Sequence, residues 1–113
     1  MSSIYPVAVD ENFTQDNFIT YKVKNNQFHP LINEGDIIYI DRDDTKLSDG
    51  NVYLFSSKTK DMQIIRRITY TLKNELKIVT PTDAEIIDEN TLLDLYFCMG
   101  RVRKRIAIIE ENF

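Results

Sequence analysis

The sequence predicts a mostly β domain with little helix, its twisted antiparallel sheets forming a partly open barrel. Two observations lead there. Short runs of β-branched and aromatic residues recur between turn residues along the chain, and few windows place apolar residues at helical spacing. The size and composition fit one globular unit: 113 residues, 42% hydrophobic and 28% charged. A chain of this length buries roughly two thirds of its unfolded surface, enough for a core without metal or disulfide support.

Residues 1–16 are polar and irregular, with breaks at Asp10-Glu11-Asn12 and Gln15-Asp16-Asn17, and read as an N-terminal arm. Residues 17–113 form the predicted β domain. From Phe18 onward, Ile19, Tyr21 and Val23 alternate with Thr20, Lys22 and Lys24, the period of a half-buried strand. Ile37-Ile38-Tyr39-Ile40 is a continuous apolar run and reads as a strand covered on both faces. Asp41-Arg42-Asp43-Asp44 and Ser48-Asp49-Gly50 are turn chemistry. Asn51 to Ser57 places Val52 and Leu54 on one face and Tyr53 and Phe55 on the other; Thr59-Lys60-Asp61 is a polar tip, and Met62 to Thr71 completes a hairpin. Leu72 to Asn74 turns into a strand over Glu75 to Thr80, which Pro81-Thr82-Asp83 ends. After Asp88-Glu89-Asn90, Asp94 to Ile109 supplies the last strand, with a bulge or bend predicted at Gly100.

The stretch Val23 to Asp41, VKNNQFHPLINEGDIIYID, resembles the core of the LexA-type repressor peptidases, relatives of the signal peptidases. The family pattern reads, in outline, apolar–x–Gly–Asp–Ser–Met–x–Pro–x–apolar–x–x–Gly–Asp. Pro30, Ile32, Gly35 and Asp36 fall on it, and Gln27 stands at the serine position. The likeness continues in order through Asp49-Gly50, Asn51 to Phe55, Ile65-Arg66-Arg67-Ile68, Leu76 to Thr80 and Met99-Gly100-Arg101-Val102-Arg103, covering about residues 18 to 109. The resemblance implies the fold of a LexA-type C-terminal domain, in which Pro30, Gly35 and Asp36 shape a structural turn.

Family members act through a serine–lysine dyad, a neutral lysine taking the proton of the attacking serine. Both positions depart here. Gln27 offers no nucleophile, and Arg66 stands where the lysine belongs; arginine stays protonated and cannot serve as a base. The Ala-Gly bond that family members cut in themselves is absent: neither Ala8, Ala84 nor Ala107 precedes a glycine. The expectation is a peptidase homologue without catalytic residues. Ser48, Ser56 and Ser57, with Lys58 and Lys60 nearby, offer no substitute dyad, because a wet hairpin tip leaves a lysine charged. Arg66, if buried, needs acceptors, and Gln27 is a neutral one at hand.

Other constellations read as structural. His29, the sole histidine, has no Cys/His cluster for a metal site. Asp36 and Asp41 are read as solvated turn carboxylates, and the run Asp41 to Asp44 lacks the spacing of a calcium loop. No metal and no cofactor are expected. Arg101, Arg103, Lys104 and Arg105 read as the charged face of an edge strand, Arg101, Arg103 and Arg105 on one side and Val102, Lys104, Ile106 and Ile108 on the other. Cys98, the single cysteine, lies in the apolar run Leu95 to Met99 and reads as a small core hydrophobe; it supplies no internal disulfide.

No run of apolar residues is long enough to span a membrane, and Met1 to Pro6 lacks a signal-peptide pattern, so a cytoplasmic protein is expected. A net charge of −4 disfavours direct DNA binding. Roughly 17 residues before the first strand are too few for a helix-turn-helix. The resemblance therefore implies a dimerisation module of a phage-type transcriptional repressor, with DNA reached only through a helix-turn-helix domain outside this chain. A homodimer is the expected assembly, with Arg105, Ile106, Ala107, Ile108 and Ile109 as the interface. The alternatives are a stand-alone UmuD-type accessory subunit of the SOS response, whose family counterpart carries the dyad, and an autopeptidase with an unusual dyad.

Overall fold

A computed structural model describes residues 17–107. Seven strands and one short helix follow one another: β1 (Phe18–Lys22), β2 (Ile37–Asp41), β3 (Val52–Ser57), β4 (Gln63–Tyr70), β5 (Leu76–Val79), β6 (Ala84–Ile86), α1 (Glu89–Leu95) and β7 (Tyr96–Ile106). The protein is mostly β. The strands form one antiparallel sheet in the order β1-β2-β7-β3-β4-β5-β6, and the sheet is not closed: β1 and β6 are its two edges.

The last strand organises the rest. β7 is interior, not the edge strand that its charge pattern suggested. Its first half pairs with β3, from Tyr96 opposite Ser57 to Arg101 opposite Tyr53. Its second half pairs with β2, from Arg101 opposite Asp41 to Ile106 opposite Ile37. Two bulges bend it between these partners. Leu54 and Phe55 face Gly100 and Cys98, leaving Met99 as an extra residue, and Tyr39 and Ile40 face Lys104 and Val102, leaving Arg103 as another. The second bulge interrupts the strict alternation expected for Arg101, Arg103 and Arg105.

The change of partner needs a glycine. At residue 100 φ is +142°, and a Cβ built there would lie 2.2 Å from the Asp41 carbonyl oxygen and 2.9 Å from Ile40 Cγ2. The backbones of β2 and β7 approach more closely than any side chain permits.

Two apolar clusters pack on this framework, and β3 feeds both. Leu54 joins Val23, Phe28, Ile32, Ile38, Ile40 and Ile65; Tyr53 and Phe55 join Ile64, Ile68, Leu76, Ile78 and Leu92. The period-two reading of Asn51 to Ser57 is thus reproduced. Ile37 to Ile40 are all buried, as a doubly covered strand requires. Each fully buried aliphatic side chain contributes about 1.5–3 kcal/mol. Buried Tyr53 also fixes the turn before it: its hydroxyl donates to the Lys46 carbonyl at 2.9 Å and accepts from the Ser48 amide at 3.0 Å.

Two elements differ from the sequence expectation. The last strand begins at Tyr96, because Glu89–Leu95 is helical. Asp88 caps that helix through a bond from the Thr91 amide, and Leu92 is its one buried residue. A single apolar anchor gives no helical period to read. The other is β6, whose three residues are all exposed and pair only with β5.

Replacing Gly100 by alanine is expected to cost more than about 3 kcal/mol, since strain and a backbone clash combine. Gly50, at φ +87° but with open space around its α-carbon, should lose only about 1–2 kcal/mol in the same substitution. Urea unfolding of the two variants checks the contrast.

Candidate functional site

The turn between β1 and β2 presents Gln27. Its neck is closed by two backbone bonds, Val23 N–H to the Asp36 carbonyl and Gly35 N–H to the Val23 carbonyl, both 2.8 Å. Gly35 at φ +90° makes the exit turn. Inside the loop Asn25 Oδ1 accepts from the Gln27 amide at 3.1 Å, and Asn26 Oδ1 accepts from the Glu34 amide at 2.9 Å. Phe28 and Ile32 plug the loop into the first apolar cluster. Gln27 is therefore held by its own backbone and by a buried neighbour on its C-terminal side.

Asp36 finishes the turn and differs from its expected state. It is 4% exposed rather than solvated. Its Oδ2 accepts from the Asn33 amide at 2.8 Å and from Arg105 Nη1 at 3.2 Å. The loop is thereby tied to the far end of β7. Pro30, by contrast, is exposed and contributes its carbonyl to Asn33 Nδ2.

Arg66 enters from β4, opposite Tyr53 of β3. Gln27 and Arg66, 39 residues apart, meet directly: Arg66 Nη1 donates to Gln27 Oε1 at 3.0 Å and to its neighbour Ile65's carbonyl at 2.8 Å. Partial burial pushes the guanidinium pKa down, and Tyr96, Glu85 and Asp83 act in the opposite direction. None of the ion pairs among the described residues involves Arg66. The pair lies in a cleft of about 220 Å³, also lined by Ile78, Thr80, Thr82, Asp83, Ala84 and Glu85. The residues from 80 to 85 carry no site signal in the sequence, where Pro81-Thr82-Asp83 reads only as a strand breaker. They reach the cleft because β6 folds back beside β5.

Chemically the pair holds a fixed cation against a neutral amide. No atom of it can attack a carbonyl, and the guanidinium does not release a proton near neutral pH.

The remaining candidates lie elsewhere. The Ser57 hydroxyl oxygen accepts from the Thr59 and Lys60 amides of the hairpin tip, Ser56 Oγ accepts from Gln63 Nε2, and exposed Lys58 sits with Nζ 4.9 Å from the centre of the Phe97 ring. His29 is exposed, with Nδ1 against Asn33 Oδ1. Among the described residues no group of three or more His, Cys, Asp or Glu side chains is placed to hold a metal ion, and no helix is long and apolar enough to cross a membrane. The arginines of β7 face carboxylates: Arg101–Asp44 at 3.6 Å, Arg103–Asp41 at 3.7 Å and Arg105–Asp36 at 3.2 Å. Of the expected interface, Arg105 is largely exposed, Ile106 is half-buried opposite Ile37, and Ala107 is exposed; Ile108 and Ile109 lie outside the described residues. Cys98 is partly buried against the second apolar cluster, and burial pushes its thiol up to about 11.

No family model matches the chain, and no curated protein matches it.

Two measurements follow from this geometry. Gln27→Leu leaves the half-buried guanidinium without its side-chain acceptor and is expected to cost about 1–3 kcal/mol in urea unfolding, with Gln27→Leu/Arg66→Met recovering most of the loss. At pH 8 native Cys98 should react with iodoacetamide about two orders of magnitude more slowly than in the denatured chain, because a raised thiol pKa leaves little thiolate; the rate should climb as pH approaches 11.

Proposed function

We propose that this chain is a LexA-like domain without peptidase chemistry, serving as the dimerisation module of a phage-type transcriptional repressor in the cytoplasm. DNA contact falls to a helix-turn-helix domain outside the chain. The observation that carries the reading is the Gln27–Arg66 hydrogen bond. The resemblance matched these two residues to the nucleophile and base positions separately, from motifs far apart in sequence. A shared architecture requires those positions to meet, and a direct bond between the side chains supports it. The same bond argues for lost chemistry, since neither a nucleophile nor a base stands in the cleft.

The dimer seam is proposed at the end of β7. Among the described residues the register of β7 with β3 ends at Arg101, and from there to Ile106 it follows β2. Arg105 and Ala107 are exposed there, a surface that a second copy would meet about a two-fold axis. Asp36 already pairs with Arg105 there, so like charges meet less strongly across the axis. Joining two DNA-binding heads makes contact with the second half-site effectively intramolecular, which is the gain a repressor draws from such a module.

Sedimentation velocity at micromolar concentration should show a dimer, and Ala107→Arg should yield a monomer whose thermal midpoint is unchanged; a strict monomer in the unmodified chain contradicts the reading. Incubation at alkaline pH should leave the mass of the chain intact, and cleavage would restore the autopeptidase alternative.

A further inference from the structure

The donors that Arg66 does not use define a binding site. A guanidinium has five N–H groups. The two on Nη1 are directed to Gln27 Oε1 and the Ile65 carbonyl. Nε and Nη2 form the other, side-on edge, and no acceptor among the described residues bonds to it. Two parallel N–H groups on one edge match the two oxygens of a carboxylate. Gln27 adds to this: with Oε1 taken by Arg66, its Nε2 amide group has two further N–H donors and no partner among the described residues. A half-buried cation with neutral acceptors alone gains more from an anionic ligand than a fully solvated one does.

The rim sets a second requirement. Asp83 and Glu85 line the same cleft, both are exposed, and both act electrostatically on Arg66. With one guanidinium and two carboxylates the lining carries a net negative charge, which repels a simple anion. A ligand carrying its own cationic group beside the carboxylate turns that repulsion into attraction. Ile78 and Ala84 give the cleft a modest apolar wall, room for a small uncharged side chain.

We infer that the Gln27–Arg66 cleft binds a small α-amino acid, its carboxylate on the side-on edge of Arg66 and the Gln27 amide, its ammonium toward Asp83 and Glu85. The site goes beyond the repressor reading and does not depend on it: dimerisation and self-cleavage are measured separately and their outcome leaves the cleft unchanged.

The test follows the side-chain N–H signals of Arg66 and Gln27 by NMR in the intact chain while L-alanine, acetate and methylammonium are titrated at matched ionic strength. L-Alanine should shift both signals saturably, with half-saturation at about 1 mM, as expected for so small a ligand. Acetate and methylammonium, each half of the zwitterion, should bind at least ~10-fold more weakly, one lost ion-pair contact being enough for that factor. Gln27→Glu supplies an internal carboxylate to Arg66 without removing the cation from the fold, and should abolish the response. Asp83→Asn/Glu85→Gln, on the exposed rim, should bring acetate level with L-alanine. Absence of saturation by about 20 mM L-alanine, equal binding of acetate by the unmodified chain, or a response that survives Gln27→Glu would each overturn the assignment.

Discussion

Strand β7 changes neighbours at Arg101, from β3 to β2, and just before it, at Gly100, the backbones of β7 and β2 touch. The Asp41 carbonyl occupies the space that a Cβ would need. Among the described residues β7 is the strand that links β1 and β2 to the sheet of β3 to β6. The register that follows brings Arg101 opposite Asp41 and Arg105 opposite Ile38, placing the arginines of β7 within reach of Asp44, Asp41 and Asp36. The pairs of Arg101 and Arg103 are partly exposed, with N–O separations of 3.6 and 3.7 Å, and contribute about 0–1 kcal/mol each. Arg105–Asp36 differs, because Asp36 is buried and also holds the Asn33 amide. The turn carrying Gln27 is thus fixed, through Asp36, by the strand that Gly100 lets pass.

That chain of contacts explains the sequence pattern around Gly35-Asp36. Gly35 closes the neck of the turn and Asp36 anchors it to β7. Neither role involves peptide-bond chemistry. Both residues serve to hold Phe28 and Ile32 in the core.

The strands were legible wherever one face is apolar. β1 to β5 stand within about two residues of their expected bounds, because alternation or a full apolar run marks each of them. Gly100 was legible as a bulge because a glycine inside a strand has few other reasons to be there. What escaped reading lacks such contrast. Helix α1 buries only Leu92, and β6 buries nothing; both are held by a neighbour rather than by their own pattern. Asp36 looked like a solvated turn residue because its partner Arg105 lies 69 positions away, and no local pattern reports such a pairing. The interior place of β7 was hidden for a related reason: alternating arginines suit an exposed edge as well as an interior strand with partly exposed ion pairs.

In the Gln27–Arg66 cleft a half-buried charge is hydrogen-bonded by neutral acceptors alone. A dyad lysine works as a base only when burial strips its proton, which stores unfavourable desolvation in the resting protein. Arginine in the same surroundings keeps its charge, so the burial cost must be met by hydrogen bonds. Serine, with one short hydroxyl, would satisfy little of a guanidinium. Glutamine reaches further, and its carbonyl takes an Nη1 proton at 3.0 Å. The two side chains are therefore coupled: without Gln27 the half-buried Arg66 keeps only the Ile65 carbonyl, whereas together they make a neutral-to-charged hydrogen bond. Compensation is incomplete, because Gln27 Oε1 and the Ile65 carbonyl cannot satisfy five donors. The side-on edge of Arg66, left without an acceptor among the described residues, is the part of the cleft that the proposed zwitterionic ligand would meet.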